Sequence, residues 1–320
     1  MKDKRSAFIR IAISFGLLGL LFWFMRHNIR DIWSIISASN LSLLAIAAVF
    51  FIINVVMLAY RMKIIFLGEN LSLTLRESLE LTFVGYFFNN FMPTAIGGDI
   101  VKAHYAAHTN GKKLESYASV LMDRFIGLYT YLVVAAVALV VDRGRFQLAT
   151  VRILVFFLII LGIAGFVIAT NKAIARFMER FFARLKMFRF GERLNGVYNI
   201  VHDYRNRRDV LMKSFLVSIA AQCMYFGIVY VFFLSLGAGI NLGNVFLIMP
   251  VITFISMAPS MGGLGVREGA FVAFFATLTG KETAFAASML LLLGFLFISV
   301  IGGVIYLWWG LTGGKRRNIQ

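Results

Sequence analysis

LSLLAIAAVFFIINVVMLAY, residues 41–60, carries no charged side chain over about twenty positions, long enough for a helix to cross ~30 Å of hydrocarbon. One such stretch would pass for a buried core helix. Five more, at residues 7–25, 117–141, 151–170, 210–236 and 284–311, would not. Hydrophobic residues make up 60% of the 320 positions and charged residues only 15%, against about a quarter in a soluble domain. The expected fold class is all-α integral membrane, with about six transmembrane helices.

The basic start, Lys2 to Arg5, followed by an apolar run resembles a secretory signal, but the run is too long and no small-residue cleavage site closes it. It is expected to be a retained first span. The single cysteine, Cys223, lies inside an apolar window, so no disulfide or zinc argument is available. His104 and His108 share a helix face by spacing, but no carboxylate completes a metal set. A solvated face is the expectation there, and no metal or cofactor is expected.

The net charge of +17 is concentrated between and after the spans. Residues 171–209 hold ten Lys/Arg against four Asp/Glu, and Lys315, Arg316 and Arg317 sit near the end. That distribution points to cytoplasmic loops and anionic lipid headgroups, not nucleic acid. It puts both termini and the 171–209 connector in the cytoplasm of a multi-pass plasma (inner) membrane protein. Arg143 and Arg145, in a loop that must then lie outside, run mildly against the rule. Within the connector, Ile174, Phe177, Met178, Phe181, Phe182 and Leu185 recur at helical spacing, and Lys172, Arg176, Arg180 and Arg184 recur every four residues. This reads as a basic amphipathic helix lying along the membrane surface.

Two further apolar segments, 79–92 and 245–258, are each about 14 residues, reaching only about 21 Å as helices. Each meets a proline, Pro93 or Pro259, then paired glycines, Gly97-Gly98 or Gly262-Gly263, then charge. Short helix, break, short helix suits a re-entrant hairpin, with irregular backbone sheltered by protein or a water-filled cavity. The hairpins, 79–110 and 245–279, would enter from opposite faces. That points to an inverted repeat of a first half, 1–170, and a second, 210–320, in a single membrane domain with its binding site at the repeat interface.

The residues with chemistry cluster in three places. GYFFNNFMPTAIGGDIVK, residues 85–102, places Asn89 and Asn90 at a helix end and Gly97, Gly98, Asp99 and Lys102 where a second helix begins, a natural anion site. Asp99 is expected to cap that helix, and Lys102 to share its face. APSMGGLGVREG, residues 258–269, puts Gly262, Gly263 and Gly265 before Arg267, whose planar fork suits a phosphate or carboxylate, with Glu268 beside it. Asp123 and Arg124 form the third cluster, an ionisable pair inside an apolar window. Adjacent residues on a helix diverge, so these two should take different partners, Asp123 reaching a cation in a hairpin and Arg124 facing headgroups or a cavity. No phosphate-binding loop, nucleophile elbow or metal cluster supports a chemical active site.

These motifs, in this order and spacing, resemble the transmembrane region of lysylphosphatidylglycerol synthases, a family that also contains stand-alone flippase-like proteins. Thr94 replaces a common glycine of that pattern, and Lys102 a common arginine. In the synthases the aminoacyl-transferase is a separate cytosolic domain, expected to be absent here because Gln320 closely follows the last span. The resemblance therefore implies translocation of a phospholipid or polyprenyl-linked lipid between leaflets, without enzymatic activity. Asn89, Asn90 and the three cations Lys102, Arg124 and Arg267 would meet the headgroup. The glycines would shape the backbone, while Asp99, Asp123 and Glu268 orient the cations or couple protons. Two rivals remain: a membrane-embedded transferase using a lipid-linked donor, and a non-transporting membrane partner of a lipid-modifying synthase.

Overall fold

The computed structural model describes residues 34, 37–91, 97–142, 149–170, 204, 207–257 and 265–311. The first apolar window, the loop arginines Arg143 and Arg145, most of the basic connector, Gly262 and Gly263 lie outside the described residues. Within them the chain is helical: α1 (Leu41–Gly68), α2 (Leu75–Phe91), α3 (Gly97–Asn110), α4 (Lys113–Asp142), α5 (Ala149–Thr170), α6 (Arg208–Ser235), α7 (Leu242–Ile255), α8 (Val266–Thr279) and α9 (Lys281–Leu311). No strand occurs among the described residues. Four of these helices, α1, α4, α6 and α9, are long and apolar enough to cross a membrane, and Ala149–Ala164 and Leu242–Ile255 are shorter apolar stretches. The chain is an all-α membrane protein.

Local chemistry sets where the helices start. The Asn40 side chain accepts hydrogen bonds from the Ser42 and Leu43 amides, at 3.0 and 3.3 Å, and caps α1. Thr74 and Glu77 cap each other's backbone ahead of α2: the Thr74 amide donates to Glu77 Oε2 at 2.8 Å, and the Glu77 amide to Thr74 Oγ1 at 3.2 Å. Asn241 accepts from the Gly243 amide and caps α7. Two boundaries differ from the hydropathy reading. α2 begins at Leu75, earlier than the apolar run, because this capping pair starts it among the charges Arg76, Glu77 and Glu80. α3 already starts at Gly97, so Asp99 lies inside its first turn and is not its cap.

The packing follows a regular plan. α1 lies along α6, α2 along α9 and α4 beside α7, while α3 folds back onto α4 and α8 onto α9. α1 and α6 run antiparallel: the Asn40 amide donates to the Ser235 carbonyl, Asn54 Nδ2 to the Ala221 carbonyl, and Gly68 lies against Tyr204 and Val210. Where helices come closest, glycine permits it. A Cβ on Gly302 of α9 would sit 2.1 Å from the Phe83 carbonyl of α2, and one on Gly98 of α3 would sit 2.0 Å from the Gly85 carbonyl of α2. Aromatic rings fill the two main cores, Phe233 with Phe271 and Phe275 in one, Phe87 and Phe88 with Tyr306 in the other. Tyr204 is fully buried where the connector returns to the helices; its hydroxyl donates to the Ile65 carbonyl at 2.9 Å and lies 3.0 Å from Ser119 Oγ. Burial pushes its phenol above the ordinary value, so it stays neutral.

Candidate functional site

The two short helix pairs converge with α1, α4 and α6 on two adjoining cavities. The first, about 170 Å³, is lined by Arg61 of α1, Asn89 of α2, Asp99 and Lys102 of α3, and Asp123 and Arg124 of α4. The second, about 220 Å³, is lined by Phe51 and Asn54 of α1, Tyr225 of α6, Thr253 and Ser256 near the end of α7, Arg267 of α8 and Phe295 of α9. Leu58, Tyr86, Tyr131 and Gln222 line both, so the cavities meet at those side chains. Arg61 lies seven residues before the end of α1, about 10 Å of helix, and Asn54 near its middle. The second cavity therefore lies beside the middle of α1 and the first nearer its C-terminal end.

Ion pairs organise the first cavity. Arg61 grips Asp123 with two bonds, Nε to Oδ1 at 2.7 Å and Nη2 to Oδ2 at 3.0 Å. Its third nitrogen donates to Ser218 Oγ at 2.8 Å, and that oxygen lies 2.8 Å from Thr130 Oγ1. This fork-to-carboxylate geometry, with both side chains largely buried, is the strong form of the interaction. Asp99 receives Arg124 Nη1 at 3.2 Å and lies 3.7 Å from Lys102 Nζ. The hairpin is tied further by Asn89, whose Oδ1 accepts the Gly98 amide at 2.7 Å, and by Asn90, which donates to Ser299 Oγ and to the Phe295 carbonyl. Three cations thus line a cavity with two carboxylates, leaving a net positive charge.

The second hairpin handles charge differently. Arg267 Nε and Nη2 both donate to Glu268 Oε1, at 3.1 and 2.8 Å, and Glu268 Oε2 accepts the Gly265 amide at 2.6 Å. The guanidinium carbon lies 4.7 Å from the centre of the Phe295 ring, a cation–π contact. Gly265 takes φ 79°, the left-handed region that favours glycine, and so turns the chain into α8. Arg267 Nη1 makes no hydrogen bond with a described residue, and the arginine borders the cavity.

The structure brings Asn89, Asp99, Lys102, Asp123 and Arg124 together as one group, with Arg267 across the shared wall. Gly97 and Gly98 open α3, and Asn90 faces α9, outside the lining. One assignment is corrected. Asp123 takes its cation from Arg61 on α1, not from a hairpin, while the hairpin carboxylate Asp99 takes Arg124. Asp123 and Arg124 do diverge to separate partners, as adjacent helical residues must. Arg61 went unremarked in the sequence because it sits one position beyond an apolar window, where a basic residue reads as a flank. A second missed signal is the stripe Ser214, Ser218, Gln222 and Tyr225 along one side of an otherwise apolar α6, at helical spacing. His104 and His108 are exposed, and no cluster of metal-ligating side chains occurs among the described residues.

Comparison with known proteins matches residues 7–303 to the family described as Lysylphosphatidylglycerol synthase TM region. A UPF0104 membrane protein of Methanothermobacter thermautotrophicus is 26% identical, over 88% of this chain and 86% of that protein. A UPF0104 membrane protein of Pyrococcus horikoshii is 24% identical, over 94% of this chain and 96% of its own length.

Proposed function

The chain belongs to the lysylphosphatidylglycerol synthase TM region family, and from that premise we propose that it is a flippase-like transporter, binding the headgroup of a phospholipid or polyprenyl-linked lipid and moving it between leaflets of the plasma membrane. The observation that carries this reading is the pair of joined cavities at membrane depth, lined by both helix hairpins and net positive at the first. A charged or hydroxylated headgroup cannot cross hydrocarbon unaided, and fixed polar groups in such a cavity replace its water. Lys102, Arg124 and Arg267 are the headgroup contacts in this proposal, and no catalytic step is needed.

The packing plan supports alternating access. Exchanging α1 with α6, α2 with α7, α3 with α8 and α4 with α9 leaves the neighbours described above unchanged. The second set follows the first at a nearly constant chain distance, Leu41 to Arg208, Leu75 to Leu242, Gly97 to Val266 and Lys113 to Lys281. With α1 and α6 antiparallel, the matching axis lies across the helices, as two inverted halves with re-entrant hairpins require. Both termini are cytoplasmic in this arrangement, following the positive charge.

The test is accessibility of headgroup-labelled lipid in vesicles reconstituted with the whole chain. Arg267→Ala alone would strand Glu268 as a buried charge, so it is paired with Arg267→Met/Glu268→Gln, in which the Gly265 amide keeps its acceptor. Both variants should lower translocation about tenfold to a hundredfold if the arginine makes charge-assisted bonds to lipid, worth about 1.5–3 kcal/mol. Arg267→Lys should recover part, having charge without the fork. Normal translocation by the folded double variant would overturn the headgroup role.

A further inference from the structure

We propose that the second cavity is a subsite for hydroxyl-rich headgroups, so that the lipid taken is one whose phosphate carries a sugar or polyol. The inference rests on the headgroup reading above and names the substrate class for that same site.

The two cavities differ in kind. The first offers cations, which suit the phosphate common to every phospholipid and polyprenyl phosphate. The second offers aromatic rings and neutral polar groups, with Arg267 the one charged side chain among its described lining residues, already engaged by Glu268. Phe295 lies at the centre of an aromatic group, 5.4 Å from Phe51 and 6.2 Å from both Tyr86 and Tyr225 between ring centres. Such rings cover the C–H faces of a sugar or glycerol, and their hydroxyls address its edge.

The neutral polar groups are biased in a useful way. Asn54 spends one of its two amide hydrogens on the Ala221 carbonyl at 2.6 Å. Thr253 and Ser256 donate to the Met249 and Ile252 carbonyls at 2.8 and 2.6 Å. Ser256 therefore presents an oxygen lone pair to a donor, Asn54 keeps its carbonyl oxygen and one N–H, and Thr253 also meets the Tyr131 hydroxyl. The hydroxyls of Tyr86 and Tyr225 make no hydrogen bond with a described residue, and each can both give and accept. A ligand rich in hydroxyls satisfies both demands. An ammonium headgroup also donates and is drawn to aromatic faces, but among the described residues no carboxylate lines this cavity, and the charged side chain that does is the Arg267 cation. Charge decides for hydroxyls.

The experiment measures binding of four lipids to the whole chain in nanodiscs: phosphatidylglycerol, a polyprenyl monophosphate hexose, phosphatidic acid and phosphatidylethanolamine. At least one of the first two should bind about tenfold tighter than the last two, since a site built for hydroxyls rejects analogues lacking them. Which one binds separates glycerol from sugar as the source. Tyr225→Phe, which keeps the ring and borders only the second cavity, should reduce the preference for the hydroxylated lipids over phosphatidic acid at least severalfold. Phosphatidic acid or phosphatidylethanolamine binding as tightly as the hydroxylated pair would overturn the subsite. If Lys102→Gln still weakened all four in that case, the headgroup reading would stand without it. Failure of all four to bind would overturn both.

Discussion

The two hairpins answer the same structural problem with opposite uses of charge. In the first, Asp99 reaches off its own helix to Arg124 of α4, so the ion pair fastens α3 to a long span. In the second, Arg267 and Glu268 are neighbours that close on each other, and the carboxylate also holds the turn at Gly265. Their fastening to the rest of the protein is aromatic, through Phe295. A hairpin held by a cross-helix ion pair can be released by whatever competes for the arginine, and an anionic headgroup is such a competitor. A hairpin whose charges are internally balanced presents an arginine to the second cavity without holding a position by it. Two similarly broken helix pairs thus need not share a mechanism.

The contrast can be broken most severely at the pair that joins α1 to α4 beside the first hairpin. Asp123→Ala leaves Arg61 buried without its carboxylate, and should cost about 3–5 kcal/mol in thermal unfolding of the purified protein. Arg61→Leu/Asp123→Leu should recover most of that, because a matched apolar pair removes the stranded charge. If the single variant is as stable as the parent, the pair is not the anchor described.

Glycine substitutions compare the hairpin turns. Gly98→Ala forces its new methyl against the Gly85 carbonyl, and separating α2 from α3 should cost about 3 kcal/mol. Gly265→Ala meets no atom of the described residues but keeps a left-handed φ, so about 1–2 kcal/mol is expected. Denaturation midpoints in the reverse order would show that the second hairpin is the more tightly built.

The smallest stability effect is expected at the latch itself. Arg124 is one-third exposed, so Arg124→Gln should cost less than about 1 kcal/mol while still reducing translocation. Equal losses of stability and transport would make Arg124 a structural residue.

The sequence carried the fold because burial in lipid writes itself into composition: α1, α4, α6 and α9 coincide with long apolar windows, and Pro93 and Pro259 follow the ends of α2 and α7. It carried the site only halfway. Asp123 and Arg124 stood out as charges where charge is expensive. That Arg61 and Asp99 are their partners did not, since packing makes these residues neighbours and linear spacing holds no record of that. The aromatic cavity was hidden for another reason. Among 33 Phe and 11 Tyr, nothing distinguishes Phe295 or Tyr225 from rings that fill a core or face lipid. Only the polar stripe on α6 gave a local hint.

The central claim is that a lipid headgroup occupies the cavities between the hairpins, and photo-crosslinking tests it most directly. A phospholipid with a diazirine in its headgroup, incorporated with the whole chain into vesicles and irradiated, should label residues bordering the cavities, such as Tyr86, Tyr131 and Met257. Labelling there should fall in Lys102→Gln/Arg124→Gln and in the presence of excess unlabelled lipid. Labels confined to exposed apolar positions such as Ile153 and Phe156, unchanged by those substitutions, would contradict the account.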